Sequence, residues 1–351
     1  MRITWLILLF GPLLHAQFDH QSVFPDLEEV ALNEAIVDNF TPSIVLDLTQ
    51  ARDTLYRRVH FYNDSVRCVY SGLARFLDLD LDPSQALFGN GNNTDINLEH
   101  SYPRSKGAES GRAQSDMHHL FPTRVPVNNA RASKPFAEIN DNQTDSWFWR
   151  DITQSNPPNN NRDLFAEDNS VSFEPREDFK GDVARAAFYF YTIYRSEADG
   201  ADLEFFDIQR SVLCDWHDID PVDSLEWVRN EIIASYQDDK LNPFILDCRL
   251  ARLYCDDILP VCRSVSNAQV DSNAPVWQIY PNPVSEKLTI KVEEQNNSKL
   301  ILSNIQGQII GQKSMNQGEL EWPVSDLSPG IYFLTLHTAD KMPAVRKIII
   351  Q

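Results

Sequence analysis

Between residues 97 and 136 the sequence concentrates groups that can move protons and hold ions. Asn97, Glu99 and His100 lie in one short run, followed by Asp116, His118 and His119, then by Asn128, Asn129 and Arg131. This set fits metal-assisted cleavage of a phosphodiester. A hard divalent cation such as Mg²⁺ prefers oxygen ligands and keeps several waters, so one or two protein oxygens plus a substrate phosphate often suffice to hold it. The Glu99 carboxylate and the Asn128 amide oxygen supply two such ligands, for Mg²⁺ or alternatively Ca²⁺ or Mn²⁺. His100 has a reference pKa near neutrality and can take a proton from water. A bound cation stabilises charge on the phosphate and on the leaving oxygen. Arg112 or Arg131 offers a planar fork of donors to a phosphate.

The elements that position these groups follow from the flanking residues. Neighbours on a strand point to opposite faces, so Glu99 and His100 serve one centre only if the chain bends there. Pro103 and Gly107 fit a strand that ends at this place. A helix starting near Val127 sets Asn128 and Arg131 on one face, three residues apart. The cluster GNGNNTD at 89–95 reads as a turn leading into the strand.

Three motifs in order carry a resemblance. Asn97-Leu98-Glu99-His100-Ser101-Tyr102-Pro103, Asp116-Met117-His118-His119-Leu120-Phe121-Pro122 and Val127-Asn128-Asn129-Ala130-Arg131 resemble the endonuclease I family of secreted and periplasmic bacterial nucleases. The resemblance implies a ββα-metal finger, His100 as general base, and Glu99 and Asn128 as metal ligands. It leaves Asp116 and His118 to fix the geometry behind the ligands. The family also supplies an arginine from the loop after the Glu-His pair; Arg104 and Arg112 are the candidates, Arg112 being preferred. His119 stays outside the expected site.

Net charge argues the other way. The 351-residue chain carries a formal −20 and has a pI near 4.7, unlike most nucleic-acid binders. The local balance reverses this. Six basic residues (Arg104, Lys106, Arg112, Arg124, Arg131, Lys134) face two acids (Glu109, Asp116) between His100 and Phe136. Phosphate affinity follows local neutralisation, so weak, salt-sensitive substrate binding is expected.

Residues 1–16 read as a signal peptide cleaved after Ala16, and no later segment is long and apolar enough to span a membrane. The stretch 27–80 reads as mostly helical, with 66–81 more strand-like. The alternation in FLDLDLD (76–82) reads as a strand, since it lacks the Gly and terminal Glu of a calcium loop. Residues 137–175 read as loop-rich; Trp147, Phe148 and Trp149 either stack on bases or straddle a core, the core being favoured. Helices are expected at 179–198 and in LEWVRNEIIASYQ (225–237). The Trp216, Asp-Pro-Val, Arg229-Asn230 and Asn-Pro-Phe series extends the resemblance over roughly residues 45–255. Arg229 and Asn230 read as packing residues and His217 as structural. Asp247-Cys248 departs from the family's acidic-histidine pair. Five cysteines (68, 214, 248, 255, 262) allow two disulfides and one free thiol, and no Cys-x-x-Cys pair points to zinc.

Residues 264–276 read as a linker. After it, short strand-like runs separated by turn residues predict an all-β sandwich. Tyr280-Pro281-Asn282-Pro283, Leu-Ser-Pro-Gly-Ile-Tyr at 327–332 and the ending Arg346-Lys347-Ile348-Ile349-Ile350-Gln351 resemble the C-terminal sorting domain of the type IX secretion system of Bacteroidota. The expected fold is therefore α+β: a mainly helical nuclease domain (17–263) with a ββα-metal finger, then a small all-β sandwich (277–351). The expected function is an exported, monomeric, metal-dependent endonuclease. It would act on DNA, or alternatively RNA, with low sequence specificity and 5′-phosphorylated products. The alternative is a surface-displayed adhesive protein with an inactive nuclease-like domain.

Overall fold

Short apolar runs broken by turn residues cannot make one long sheet, and the chain settles into small antiparallel sheets packed on helices. The computed structural model describes residues 21–62, 64–88, 93–256, 277–282, 284–292, 298–304, 309–315, 318–328, 330–337 and 344–350. The expected signal peptide and linker lie outside them. Two compact units form, one containing the described residues within 21–256, the other the described residues within 277–302 and 311–350.

The first unit is mixed α+β. Helices α1 (Glu29–Phe40) and α2 (Leu48–Thr54) precede a sheet of β1 (Phe61–Tyr62), β2 (Ser65–Arg67) and β3 (Ala74–Phe76). Asp47 caps α2 by accepting from the Thr49 and Gln50 amides, both at 2.9 Å. Then come α3 (Pro83–Leu87), β4 (Ile96–His100), α4 (Gly111–Ser115), β5 (Leu120–Arg124) and α5 (Val125–Arg131). Strands β6 (Ser146–Trp149), β7 (Ile152–Gln154), β8 (Ala166–Asp168) and β9 (Phe173–Glu174) form a second sheet in the order β7-β6-β8-β9. Helices α6 (Lys180–Ile193), α7 (Arg195–Ala201), α8 (Asp207–Ile219), α9 (Ser224–Ala234) and α10 (Pro243–Leu246) complete it.

Helix α6 is the core. It is buried on nearly every face, which its run of Ala, Phe and Tyr permits. Tyr191 stacks on Phe206 at 3.9 Å and Phe188 on Tyr254 at 5.5 Å. A Cys214–Cys255 disulfide ties α8 to the segment beyond residue 253, Cys248 is also disulfide-bonded, and Cys68 is a buried free thiol.

Two readings of the sequence change. The FLDLDLD alternation is not a strand past Phe76: Asp78 turns the chain by accepting from the Asp80 amide, and Asp82 caps α3 through the Gln85 amide. Residues 137–175 hold a four-stranded sheet, whose strands of two to four residues are too short to show a period. The favoured reading of the aromatic run holds for Trp147 and Phe148, which are buried core residues, while Trp149 is half-buried. No helix among the described residues is long and apolar enough to cross a membrane.

The second unit has the expected all-β sandwich. Strands β10 (Trp277–Tyr280), β11 (Lys287–Val292), β12 (Ser298–Asn304), β13 (Ile309–Met315), β14 (Gly318–Pro323), β15 (Gly330–His337) and β16 (Ala344–Ile350) build sheets β10-β11-β14 and β13-β12-β15-β16. Alternation puts Leu288, Ile290 and Val292 of one sheet and Leu300, Leu334 and Ile348 of the other into one core.

His217 shows how burial controls charge. Its Nε2 donates to the Cys248 carbonyl at 3.0 Å, and burial first, then the Arg185 charge, push its pKa down to about 3. Below about pH 6.5 an unfolded chain protonates there and the folded chain does not, so stability falls as pH drops from 6.5 toward 3 and is untouched above. His217→Gln removes that dependence. The stability gap between wild type and variant, measured by urea unfolding, is expected to narrow by roughly 1.4 kcal/mol per unit as pH falls below 6; parallel curves would contradict it.

Candidate active site

Strands β4 and β5 pair antiparallel from Ile96↔Arg124 to His100↔Leu120, and α5 follows directly. Pro126 in the first turn of α5 fixes where the helix starts. Pleating sets Asn97 and Glu99 on one face of β4. Helical spacing then turns Asn128 and Arg131 toward that strand, as the sequence predicts. Asn128 Nδ2 donates to Asn97 Oδ1 at 2.7 Å and to the Leu98 carbonyl at 3.3 Å. With its nitrogen committed twice, the amide oxygen Oδ1 is left for another partner.

Glu99 is buried. Its Oε1 accepts from the Tyr70 hydroxyl at 3.3 Å and lies 3.2 Å from Arg131 Nε. Burial pushes its pKa up to about 7, although Arg131, the Tyr70 O–H and the His100 amide favour the charged form. A carboxylate this far out of water is short of positive charge. A hard divalent cation fits that deficit and the all-oxygen pair of Glu99 and Asn128. Among the described residues no group of three or more His, Cys, Asp or Glu side chains could hold a metal. Any site here is of the sparse kind, completed by water and substrate.

His100 ends β4. Its Nε2 donates to the Gln114 carbonyl at 2.9 Å, which fixes the tautomer and leaves Nδ1 as the bare, basic nitrogen. Burial pulls its pKa down to about 4, the Gln114 bond opposes this, and the Arg104 and Arg131 charges add to it. The imidazole is thus neutral at physiological pH. The expected bend between Glu99 and His100 is absent, because pairing runs through both residues. The strand instead ends at His100 itself, so the turn comes directly after the pair. Arg131, 3.2 Å from Glu99 Oε1, also acts electrostatically on the His100 ring, which keeps the two groups at one centre.

The arginines divide differently from expectation. Arg131 is fully buried. Its Nη2 donates to the Ser101 carbonyl at 2.6 Å, its Nη1 to the Ala132 carbonyl at 3.0 Å, and it lies over the Phe136 ring at 4.7 Å. This corrects the reading of Arg131 as a phosphate grip: its donors hold the backbone and Glu99. Arg104 and Arg112 are both exposed. The Arg104 charge reaches His100, whereas the Arg112 charge bears on Tyr194, which favours Arg104 beside the base. The Arg104 loop is docked by Gly107, where a Cβ would stand 2.8 Å from Ala198 N and Cα, and by Lys106 Nζ donating to Asp202 Oδ2 at 2.6 Å.

Residues 47–248 match the family model described as Endonuclease I. The chain belongs to the endonuclease I family. Residues 278–351 match the secretion system C-terminal sorting domain, which marks the protein for type IX secretion to the exterior or the cell surface. An extracellular ribonuclease of Bacillus subtilis (strain 168) is 36% identical over 167 residues, 44% of this chain and 52% of its own length. An extracellular ribonuclease of Bacillus amyloliquefaciens is 36% identical over 163 residues, 43% of this chain and 50% of its own. The chain thus spans about half the length of these curated relatives. A solved structure of PorZ, a surface component of the type-IX secretion system of Porphyromonas gingivalis, shares 17% identity, covers 25% of this chain and 12% of its own, and has a TM-score of 0.20, too low to bear on fold.

Behind the endonuclease I site lies a buried knot. Asp116 Oδ2 accepts from the Tyr189 and Tyr194 hydroxyls, each at 2.8 Å, and Oδ1 accepts from the His118 amide at 3.0 Å and Gln237 Nε2 at 2.9 Å. Burial works to raise its pKa, yet the His118 ring and the Gln237 and His118 N–H donors hold it below the usual carboxylate value. His118 Nε2 donates to the Lys240 carbonyl at 2.9 Å and His119 Nε2 to the Ala113 carbonyl at 2.8 Å. Asp116 and His118 therefore position the loop. Tyr70, Gln114, Tyr189, Tyr194 and Gln237 escape a reading of the sequence, because each is distant along the chain or acts through a backbone atom. Asp116→Asn strips two tyrosyl donors of a charged acceptor. It is expected to lower unfolding stability by about 2–3 kcal/mol, read from urea melts.

Proposed function

We propose that this is an exported, metal-dependent endonuclease whose site is a ββα-metal finger built from β4, β5 and α5. The observation that supports it most is His100, neutral and held by Gln114 with Nδ1 bare, on the strand that carries the buried Glu99. Glu99 and the Asn128 amide oxygen would hold the cation, Mg²⁺ or alternatively Ca²⁺ or Mn²⁺. Bound there, the cation would supply Lewis-acid stabilisation of charge on the phosphate and the leaving oxygen. Asn97 and Leu98 orient Asn128 by taking its amide hydrogens. Arg131 and Tyr70 orient the Glu99 carboxylate. His100 Nδ1 takes a proton from the attacking water, and Nε2 keeps its hydrogen on Gln114 throughout. Arg104 faces the phosphate at the solvent side, with Arg112 the second candidate from the same loop.

The nucleophile is external water, so the sugar 2′-hydroxyl has no chemical role. The substrates are therefore DNA and RNA alike, with low sequence specificity and 5′-phosphorylated products. That both curated relatives are named extracellular ribonucleases supports RNA as a substrate class. The protein acts as a monomer outside the cell after handling by the type IX machinery.

Purified protein is expected to cleave plasmid DNA and RNA, with complete loss in EDTA. His100→Ala is expected to lose about 10²–10⁴-fold in kcat while its circular dichroism stays native. Cleavage that survives EDTA, or equals wild type in His100→Ala, removes this reading.

A further inference from the structure

The turn between β2 and β3, residues 68–72, gathers three arginines that the proposed chemistry leaves unused. Arg67 Nη2 lies 3.2 Å from where a Gly72 Cβ would stand, and Arg176 Nη1 sits against the same point. Gly72 has φ +71°, so both backbone conformation and space demand glycine. Arg150 arrives from the β6–β7 hairpin. Its amide donates to the Ser71 carbonyl at 2.6 Å and its guanidinium lies 4.6 Å over the Trp149 ring.

The three cations are unevenly compensated. Arg176 is buried and gives Nε and Nη2 to Asp178, at 2.8 and 2.6 Å, so its Nη1 edge faces Gly72. Arg67 and Arg150 are exposed, and among the described residues neither has a carboxylate within ion-pair reach. Burial first, then the Arg176 charge and, less, the Arg150 charge pull the Arg67 pKa down, and the Asp178 carboxylate offsets this only in part. An anion at this place relieves the repulsion and finds unclaimed guanidinium edges.

The turn is also joined to the catalytic centre. Tyr70, two residues before Gly72, donates to Glu99 Oε1 at 3.3 Å. Two residues span at most about 7 Å of chain. The turn thus stands within a few nucleotides of Glu99, and Arg67 and Arg150 are exposed cations beside it. We propose that Arg67, Arg150 and Arg176 form a phosphate subsite that holds a backbone phosphate of the substrate strand, flanking the bond to be cut. This rests on the nuclease reading above. Arg176, fixed by Asp178, provides the rigid floor, and the two exposed arginines close on the phosphate.

The full-length protein is tested two ways. Binding of a short fluorescent single-stranded oligodeoxynucleotide is followed by anisotropy in EDTA, where cleavage does not intervene. Hydrolysis of bis(p-nitrophenyl) phosphate, which has no flanking phosphate, reports the catalytic centre alone. In the double variant Arg67→Ala/Arg150→Ala, oligonucleotide Kd is expected to rise about tenfold. The slope of log affinity against log salt should flatten by about 0.7, the share of one strand phosphate that the protein no longer neutralises. Hydrolysis of the small diester should be unchanged. Arg67→Lys/Arg150→Lys should restore the salt slope but only part of the affinity, since lysine lacks the fork. Unchanged Kd and slope in the alanine variant overturn the subsite. Inorganic phosphate binding wild type as tightly as the oligonucleotide overturns the assignment to the strand. Weakened binding in a protein that cleaves neither substrate leaves the subsite standing and removes the nuclease reading instead.

Discussion

The Asp116 carboxylate is wholly out of water, and the loop between α4 and β5 hangs from its four donors. An uncompensated carboxylate there would be untenable. Tyr189 comes from α6, Tyr194 from the break between α6 and α7, Gln237 from beyond α9, and the His118 amide from the loop itself. Three remote elements are thereby fastened to the point where α4 ends and β5 begins. Gln237 also accepts from the Met117 amide, and Arg229 clasps the Met117 and Leu120 carbonyls. The helices legible in the sequence thus act on the site through a turn that few sequence rules describe.

From that anchor the His100 ring is set by helix-end chemistry. Helix α4 has only five residues, so its last carbonyls have no partner within the helix. Two imidazoles satisfy them: His119 donates to Ala113 and His100 to Gln114. The Ser101 amide and hydroxyl both donate to the His119 carbonyl at 3.0 Å, which closes the end of β4 against the loop. In the sequence His119 looks like a neighbour of no consequence to the site. In the fold its ring lies 5.5 Å from that of His100 and packs against it.

The legibility of this chain follows the range of the interactions. The sandwich is readable in six of its seven strands, all but Trp277–Tyr280, because alternation and turn residues are local signals. Asn128 and Arg131 are readable as one helix face for the same reason. The two-to-four-residue strands at 146–174 are not, since a period needs more residues than they have. The acidic alternation at 76–82 misleads because Asp serves turns and caps as readily as a strand's outer face. Arg131 misleads for a different reason. Sequence shows that a guanidinium is near the site, but which of its donors the backbone has already taken is a property of the folded chain.

Arginine thus has two uses in one molecule. A phosphate arrives and leaves, so an arginine that receives it must trade water for phosphate at little cost. Arg131 cannot: its donors hold the Ser101 and Ala132 carbonyls and its ring contact is Phe136, so releasing them would strand buried carbonyls. What it can do is keep a buried carboxylate oriented and partly charged. Exposed arginines such as Arg104 keep their donors hydrated and available. A chain of net charge −20 can therefore serve a polyanion. The field that matters is the one within a screening length of a bound phosphate, about 8 Å at physiological ionic strength, and the loop after β4 holds Arg104 and Arg112 exposed.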